Sequence, residues 1–205
     1  MIHKVSRFLF IVVFLSAAFV IIAAPAGADV GKPVPSWGSG HYEVLVFSDY
    51  FCPPCQTLEP RIEQVLEELL AAGGVKITFV DLPIYKQTIL YNRYYLYAVN
   101  ANADFKSVLR ARKTLFHYAF TSPDAKKAGE ETLENLFKKE KIDFKPFEHQ
   151  AVQAEFTKII KQYKVYSTPT CKVVHPGGDI KEYGGVQEIL DGLKKLKAAL
   201  KNSTR

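Results

Sequence analysis

The periodicity of apolar residues changes several times along the chain, and each change marks an element. His41 to Phe47 is rich in β-branched and aromatic residues and reads as a strand. From Thr57 to Ala72, Leu58, Ile62, Val65, Leu66, Leu69 and Leu70 recur at helical spacing. Pro60 lies early in that helix, where it bends or tightens the backbone, and Gly73-Gly74 ends it. Val75 to Asp81 is a second strand, closed by Leu82-Pro83. From about Gln87 to Lys164 the pattern is helical throughout. Helices are predicted at Thr88–Ala101, at Asp104–Phe120, from Ser122-Pro123 to about Lys139, and from Pro146 to Tyr163. Ser122-Pro123 is a favourable helix start, a capping hydroxyl followed by a proline at the first helical position. The chain then returns to strands at Thr170–His175 and Ile180–Tyr183, joined by the turn Pro176-Gly177-Gly178-Asp179. Gly184-Gly185 leads to a last helix, Gln187–Leu200, with Ile189, Leu190, Leu193 and Leu196 on one face. The pattern predicts an α/β protein, a central mixed sheet with a helical insertion.

The N-terminus follows different rules. Lys4 and Arg7 precede an uncharged run from Phe8 to Ala24, and Ala26-Gly27-Ala28 follows as an A-x-A pattern. This reads as an export signal cleaved after Ala28, with retention of residues 8–24 as a membrane anchor as the alternative. Either way the rest of the chain is expected outside the cytoplasm, where disulfides persist. Asp29 to Gly40, rich in proline and glycine, reads as a linker with little regular structure, with Trp37 available to pack onto the domain. What remains suits one domain with a sizeable core. The expected organisation is a signal at 1–28, a linker at 29–40, a sheet-bearing part at 41–86 and 165–200, and an insertion with a connecting helix at 87–164. Net charge is +6, with lysines spread over stretches such as Lys158-Ile159-Ile160-Lys161 and Lys194-Lys195-Leu196-Lys197. These read as solvated helix faces, and no nucleic-acid partner is expected.

The candidate chemistry lies between the first strand and the first helix, in Cys52-Pro53-Pro54-Cys55. A thiol at the first turn of a helix faces unpaired backbone N–H groups and the positive end of the helix dipole. Both favour thiolate, the species that attacks a disulfide. The spacing lets the second sulfur reach the first, so the pair can cycle between dithiol and disulfide. A metal site is the rival reading. Structural zinc takes four Cys or His ligands, but the chain has three cysteines, no second C-x-x-C, and no H-x-x-x-H among His3, His41, His117, His149 and His175. No metal is expected. The order strand, C-x-x-C, helix, strand is the sequence form of a thioredoxin-like unit.

With a second motif, Val165-Tyr166-Ser167-Thr168-Pro169-Thr170, and the helical stretch between, the chain resembles the DsbA-like branch of the thioredoxin superfamily. The first motif matches as Phe47-Ser48-Asp49-Tyr50-Phe51-Cys52-Pro53-Pro54-Cys55. The resemblance runs from about residue 41 to 200. It implies a central sheet with a helical insert, thiol–disulfide exchange on exported proteins, and a cis Thr168–Pro169 peptide facing the dithiol. Proline there cannot close a sheet ladder. The Thr168 backbone is then free to pair with an extended substrate beside the sulfur. Asp49 falls where the family often carries an acid, and is expected to act as a helix-start cap or as a proton shuttle. Several relatives carry a buried proton acceptor six residues before the first cysteine. Here that position is Val46, so a relay at that place is in doubt.

Cys52 is expected to be the nucleophile and the more exposed sulfur, Cys55 the buried resolving thiol. Pro53 and Pro54 lack N–H groups, which leaves Cys55 and Gln56 as the nearest amide donors, and no His or Lys stands between the cysteines. The Cys52 pKa is therefore expected to fall from about 8.5, but not to the extreme of about 3.5. Cys171 reads as an inert core thiol, with a secondary redox thiol as the alternative. Tyr91, Tyr94, Tyr95 and Tyr97 read as core packing of the insert or as a substrate groove, and His117 as a packed residue.

The expected function is exported protein thiol–disulfide exchange, oxidase-like in direction. The alternatives are a reductase or isomerase, or a non-enzymatic chaperone or copper-binding module. No dissociable cofactor is implied. Cysteine-bearing exported proteins and a membrane redox partner are the expected partners, and the protein is expected to be a monomer.

Overall fold

The central strand of the sheet is β2 (Tyr42–Ser48), and its sequence explains its place. Val44 to Phe47 form an unbroken apolar run, all buried, as a strand covered on both faces requires. In this computed structural model, which describes residues 34–203, β2 runs through a short turn into α1 (Pro53–Ala72). The chain then returns as β3 (Val75–Asp81), parallel to β2, with Val46 opposite Phe79 and Ser48 opposite Asp81. β4 (Thr170–Val174) lies antiparallel on the other side of β2, and β5 (Ile180–Gly184) lies antiparallel beside β4. β1 (Ser36–Trp37) closes the far edge against β3, giving the order β1-β3-β2-β4-β5. The export signal, the cleavage after Ala28 and the anchor at residues 8–24 lie outside the described residues. Among those described, no helix is long and apolar enough to cross a membrane.

All elements between β3 and β4 are helical. They are α2 (Thr88–Ala101), α3 (Phe105–Thr121), a 3-10 turn at Ala125–Lys127, α4 (Glu130–Lys139) and α5 (Gln150–Gln162). α6 (Gly185–Ser203) follows β5. α1 packs against α6 and α3, α2 against α3 and α4, and α5 against β3. Gly73 and Gly74 both have φ near +75°, at +75° and +76°, which turns α1 into β3 within two residues. The approach there is close: a Cβ on Gly40 would fall 2.0 Å from the Gly74 carbonyl carbon.

Two sequence expectations change. The Asp29–Gly40 stretch is not without regular structure, because Ser36–Trp37 pairs with Thr78 and Ile77. Trp37 holds it there, buried against Phe79 and Phe105, with Nε1 donating to the Ala103 carbonyl at 2.8 Å. The helix predicted from Ser122-Pro123 starts only at Glu130, since Ser122 instead ends α3. The intervening turn offers its carbonyls to α2: the Tyr91 hydroxyl donates to Ala125 at 2.9 Å and Gln87 Nε2 to Ala128 at 3.3 Å. The Ala125 carbonyl also accepts from the Ala128 amide at 3.3 Å, so one acceptor serves both the turn and α2. α1 begins at Pro53, directly after Cys52. Proline suits the first helical positions, where its missing N–H has no partner to lose and its φ is already set.

Candidate active site

The start of α1 at Pro53 makes Cys52 the cap of the helix, with extended backbone at φ −83° and ψ 114°. One turn on, Cys55 faces the same end. Its backbone N–H is turned to the Cys52 sulfur. The Gln56 amide, the other donor expected to serve the sulfur, donates to the Cys52 carbonyl at 3.1 Å. Cys52, Cys55 and Cys171 are all free thiols and all buried. Cys52 is 7% exposed and Cys55 1%, so the order is as expected but neither sulfur stands out from the surface.

Sheet register brings the second motif to this point. Phe47, near the end of β2, pairs with Thr170 at the start of β4, so the residues before Thr170 meet those after Phe47. Thr168–Pro169 is a cis peptide. The Cys52 thiol donates to the Thr168 carbonyl at 3.3 Å. The loop is held by Thr170 Oγ1 donating to the Ser167 carbonyl at 2.8 Å and by the Gly185 amide donating to the Pro169 carbonyl at 3.1 Å. The Thr168 hydroxyl is buried and unpartnered in this dithiol form, yet lies close enough to both sulfurs to lower both thiol pKa values.

The two thiols titrate in opposite directions. The hydrogen bond from the Cys55 thiol pulls the Cys52 pKa down to about 6 against the effect of burial, aided by the Thr168 hydroxyl and the Cys55 amide. The Asp49 charge opposes the shift. Cys55 is pushed well above the usual thiol range, first by sharing its proton with Cys52 and then by burial. Such a pair has a ready nucleophile and a partner that keeps its proton until the first has reacted.

Asp49 is fully buried; its backbone N–H is turned to the Cys55 sulfur, while its carboxylate does not cap α1. Its Oδ1 accepts from the Phe51 amide at 2.7 Å. Its Oδ2 accepts from the amides of Ile84 and Tyr85, at 2.9 and 3.1 Å, and from Thr88 Oγ1 at 2.7 Å. It thereby ties the loop after β3 to the turn that carries the dithiol. Burial raises its pKa, and the donors around it work against that shift.

The sequence reading missed what lies beneath. Arg112, on the buried face of α3, is wholly enclosed. Its guanidinium donates from Nε to Glu59 at 2.8 Å, from Nη1 to Asp81 at 3.2 Å and from Nη2 to the Ser48 hydroxyl at 2.8 Å. It also lies over the Phe79 ring at 4.3 Å. Asp81 in turn accepts from the Tyr50 hydroxyl at 2.9 Å and from Asn92 at 2.8 Å. Two sequence signals pointed here: a charge on the apolar stripe of α3, and Glu59 one turn after Cys55 on the buried face of α1.

Tyr91, Tyr94 and Tyr95 are buried, and Tyr97 is half-buried. Tyr91 packs under Phe51 and Tyr50, with ring centroids 4.9 and 5.5 Å apart, so it supports the residues that precede Cys52. His117 is not packed inside, as its helix suggested. It is exposed on the rim of a groove of about 650 Å³ that also includes Gln56 and Phe120, because α3 buries its Val108–Leu115 face instead. Among the described residues, no cluster of three or more His, Cys, Asp or Glu is placed to hold a metal.

Three solved structures show the same fold. A periplasmic thioredoxin-like protein from Salmonella enterica serovar Typhimurium superposes with a TM-score of 0.61 at 17% identity, over 80% of this chain and 90% of that one. DsbA2 of Pseudomonas aeruginosa gives 0.53 at 18% identity, over 81% and 96%. The alpha-DsbA1 of Wolbachia pipientis gives 0.59 at 12% identity, over 83% and 94%. No curated protein matches in sequence. A family model described as thioredoxin spans residues 40–191, from the start of β2 into α6 and across both motifs, and the chain belongs to that family.

Proposed function

We propose that the protein is an exported thiol–disulfide oxidoreductase that forms disulfides in client proteins through Cys52 and Cys55. The observation that carries this is the Cys52 thiol at 3.3 Å from the Thr168 carbonyl, with its pKa drawn down to about 6. In the oxidised protein a client thiolate attacks the Cys52 sulfur and the Cys52–Cys55 bond breaks, leaving Cys55 as the thiolate. A second client thiolate displaces Cys52, so the client leaves with a disulfide and the protein as a dithiol. The electrons remain on the two cysteines, and no dissociable cofactor takes part. Thr168 and Pro169 present extended backbone to the client, Pro53 and Pro54 start the helix, and Asp49 steadies the turn. Residues 41–86 and 165–200 form the redox part and residues 87–164 its helical insertion.

The oxidase direction rests on the Cys52 pKa. Neighbouring donors lower it from the ordinary thiol range, and a better-stabilised thiolate makes a more oxidising couple. Two features support a periplasmic or equivalent location: the export-like start of the sequence, and a structural neighbour described as periplasmic. A membrane protein would then reoxidise the pair, and the protein would act as a monomer. The test is catalysis of reduced ribonuclease refolding, together with the reduction potential. A value near −120 mV supports oxidase work, and one near −270 mV supports reduction instead. Failure both to refold ribonuclease and to speed insulin cleavage by dithiothreitol overturns the proposal.

A further inference from the structure

The rim of the dithiol carries a charge that the exchange chemistry does not use. Phe51, next to Cys52, meets the ring of Tyr85 at 6.0 Å, and Lys126 Nζ lies 5.1 Å from the centroid of that ring. Both contacts are held in place. Asp49 fixes the Tyr85 amide, and Gln87 Nε2 donates to the Ala128 carbonyl, joining the loop after β3 to the 3-10 turn that bears Lys126. Lys86 and Lys127 flank the pair in sequence, and all three lysines are exposed. Among the described residues none of the three is in an ion pair. The acids of this stretch are Asp124, Glu130, Glu131 and Asp49. Asp124 precedes the same turn, Glu130 pairs with Arg93, and the buried Asp49 carboxylate is enclosed by its own donors. Ile84 and Tyr85 expose apolar surface on the same loop, enough to lay a client chain against.

We infer that Lys126, supported by Lys86 and Lys127, selects client segments that carry a carboxylate near the reacting cysteine. The two contacts place the Lys126 ammonium at most about 11 Å from the Phe51 ring, no more than about three residues of extended chain at roughly 3.3 Å each, which sets the longest separation to test. An exposed lysine adds modest attraction that salt screens. The effect is therefore a preference in rate and not an absolute requirement. The inference rests on the exchange activity proposed above.

The test uses the oxidised full-length mature protein and reduced twelve-residue peptides with two cysteines. The peptides are identical except for Glu, Gln or Lys three residues to either side of the first cysteine. Each rate is divided by that peptide's rate with 4,4′-dithiodipyridine, which removes the effect of the flanking charge on the peptide thiol itself. At low salt the Glu peptide should react about fivefold faster than the Lys peptide, and the difference should shrink toward unity at 0.5 M salt. Lys126→Glu should reverse the order of the Glu and Lys peptides. Equal normalised rates for the three peptides, with the Gln peptide still oxidised, overturn the selectivity and leave the oxidoreductase reading intact. Failure to oxidise any peptide overturns both.

Discussion

Cys52 and Cys171 are the same side chain in two buried settings close to one proline, and they differ in everything that matters for reactivity. Cys171 follows Pro169 by two residues on β4, between Val46 on β2 and Tyr183 on β5. It is wholly enclosed, and burial pushes its pKa up to about 12. Cys52 is only slightly more exposed, yet its pKa falls to about 6 because the Cys55 thiol, the Thr168 hydroxyl and the Cys55 amide all favour its charged form. Burial alone silences a thiol, whereas burial among donors arms it. Arg112 follows the same rule for a cation. It is enclosed completely but satisfied by Glu59, Asp81 and Ser48.

The sharpest way to break the comparison is to remove each sulfur in turn. Cys52→Ser should lower ribonuclease refolding activity by at least about a thousandfold, because the attacked atom is gone. Cys171→Ala should leave activity within about twofold and lower stability by only about 1 kcal/mol. A Cys171 variant with lost exchange activity and an intact fold would contradict the inert assignment. Next in size, Arg112→Ala should lower unfolding free energy by about 3–5 kcal/mol in a urea titration, since it leaves Glu59 and Asp81 buried without their cation. A loss under about 1 kcal/mol would show that the cluster relaxes or hydrates.

Thr168→Val tests the donors directly. Removing the hydroxyl should raise the Cys52 pKa by about one unit, the scale of one hydrogen bond to a charged group. An unchanged value would take Thr168 out of the tuning. The same lowered pKa shows in the pH dependence of stability. The Cys52 pKa is lower in the folded than in the unfolded chain, so the reduced protein gains stability as pH rises from about 6 into the ordinary thiol range. This contribution of Cys52 is complete above that range and is lost as pH falls through about 6, whereas the raised pKa values of Cys55 and Cys171 take stability away above the thiol range. Cys52→Ser should lack this rise when the two are compared by denaturant titration across pH.

Much of the fold was legible because its elements carry strong local signals. The unbroken apolar run of β2, the helical spacing of α1 and the glycine pair after it each fix one element. The two motifs marked the site, and strand register supplied their meeting. The start of α4 was misread because Ser122-Pro123 is a sound helix start taken by itself. The chain instead ends α3 at Ser122 and forms a turn that Tyr91 and Gln87 bind across about forty residues of chain, contacts that no local pattern shows. The Arg112 cluster was hidden for a related reason. Its members lie on α1, α3, β2 and β3, and no local pattern shows that a charge on one apolar stripe will meet a charge on another. His117 was misplaced because an apolar neighbourhood in sequence does not say which side of the helix is covered.

The most direct test of the account is the thiolate titration of Cys52 in the reduced protein, followed by absorbance near 240 nm and by alkylation rate. One thiol should ionise with a midpoint near 6, while Cys171 stays unmodified until the chain is unfolded. A midpoint at the ordinary thiol value of about 8.5, or a Cys171 that alkylates in the native protein as fast as Cys52, would contradict the claim that neighbouring donors arm one buried sulfur and not the other.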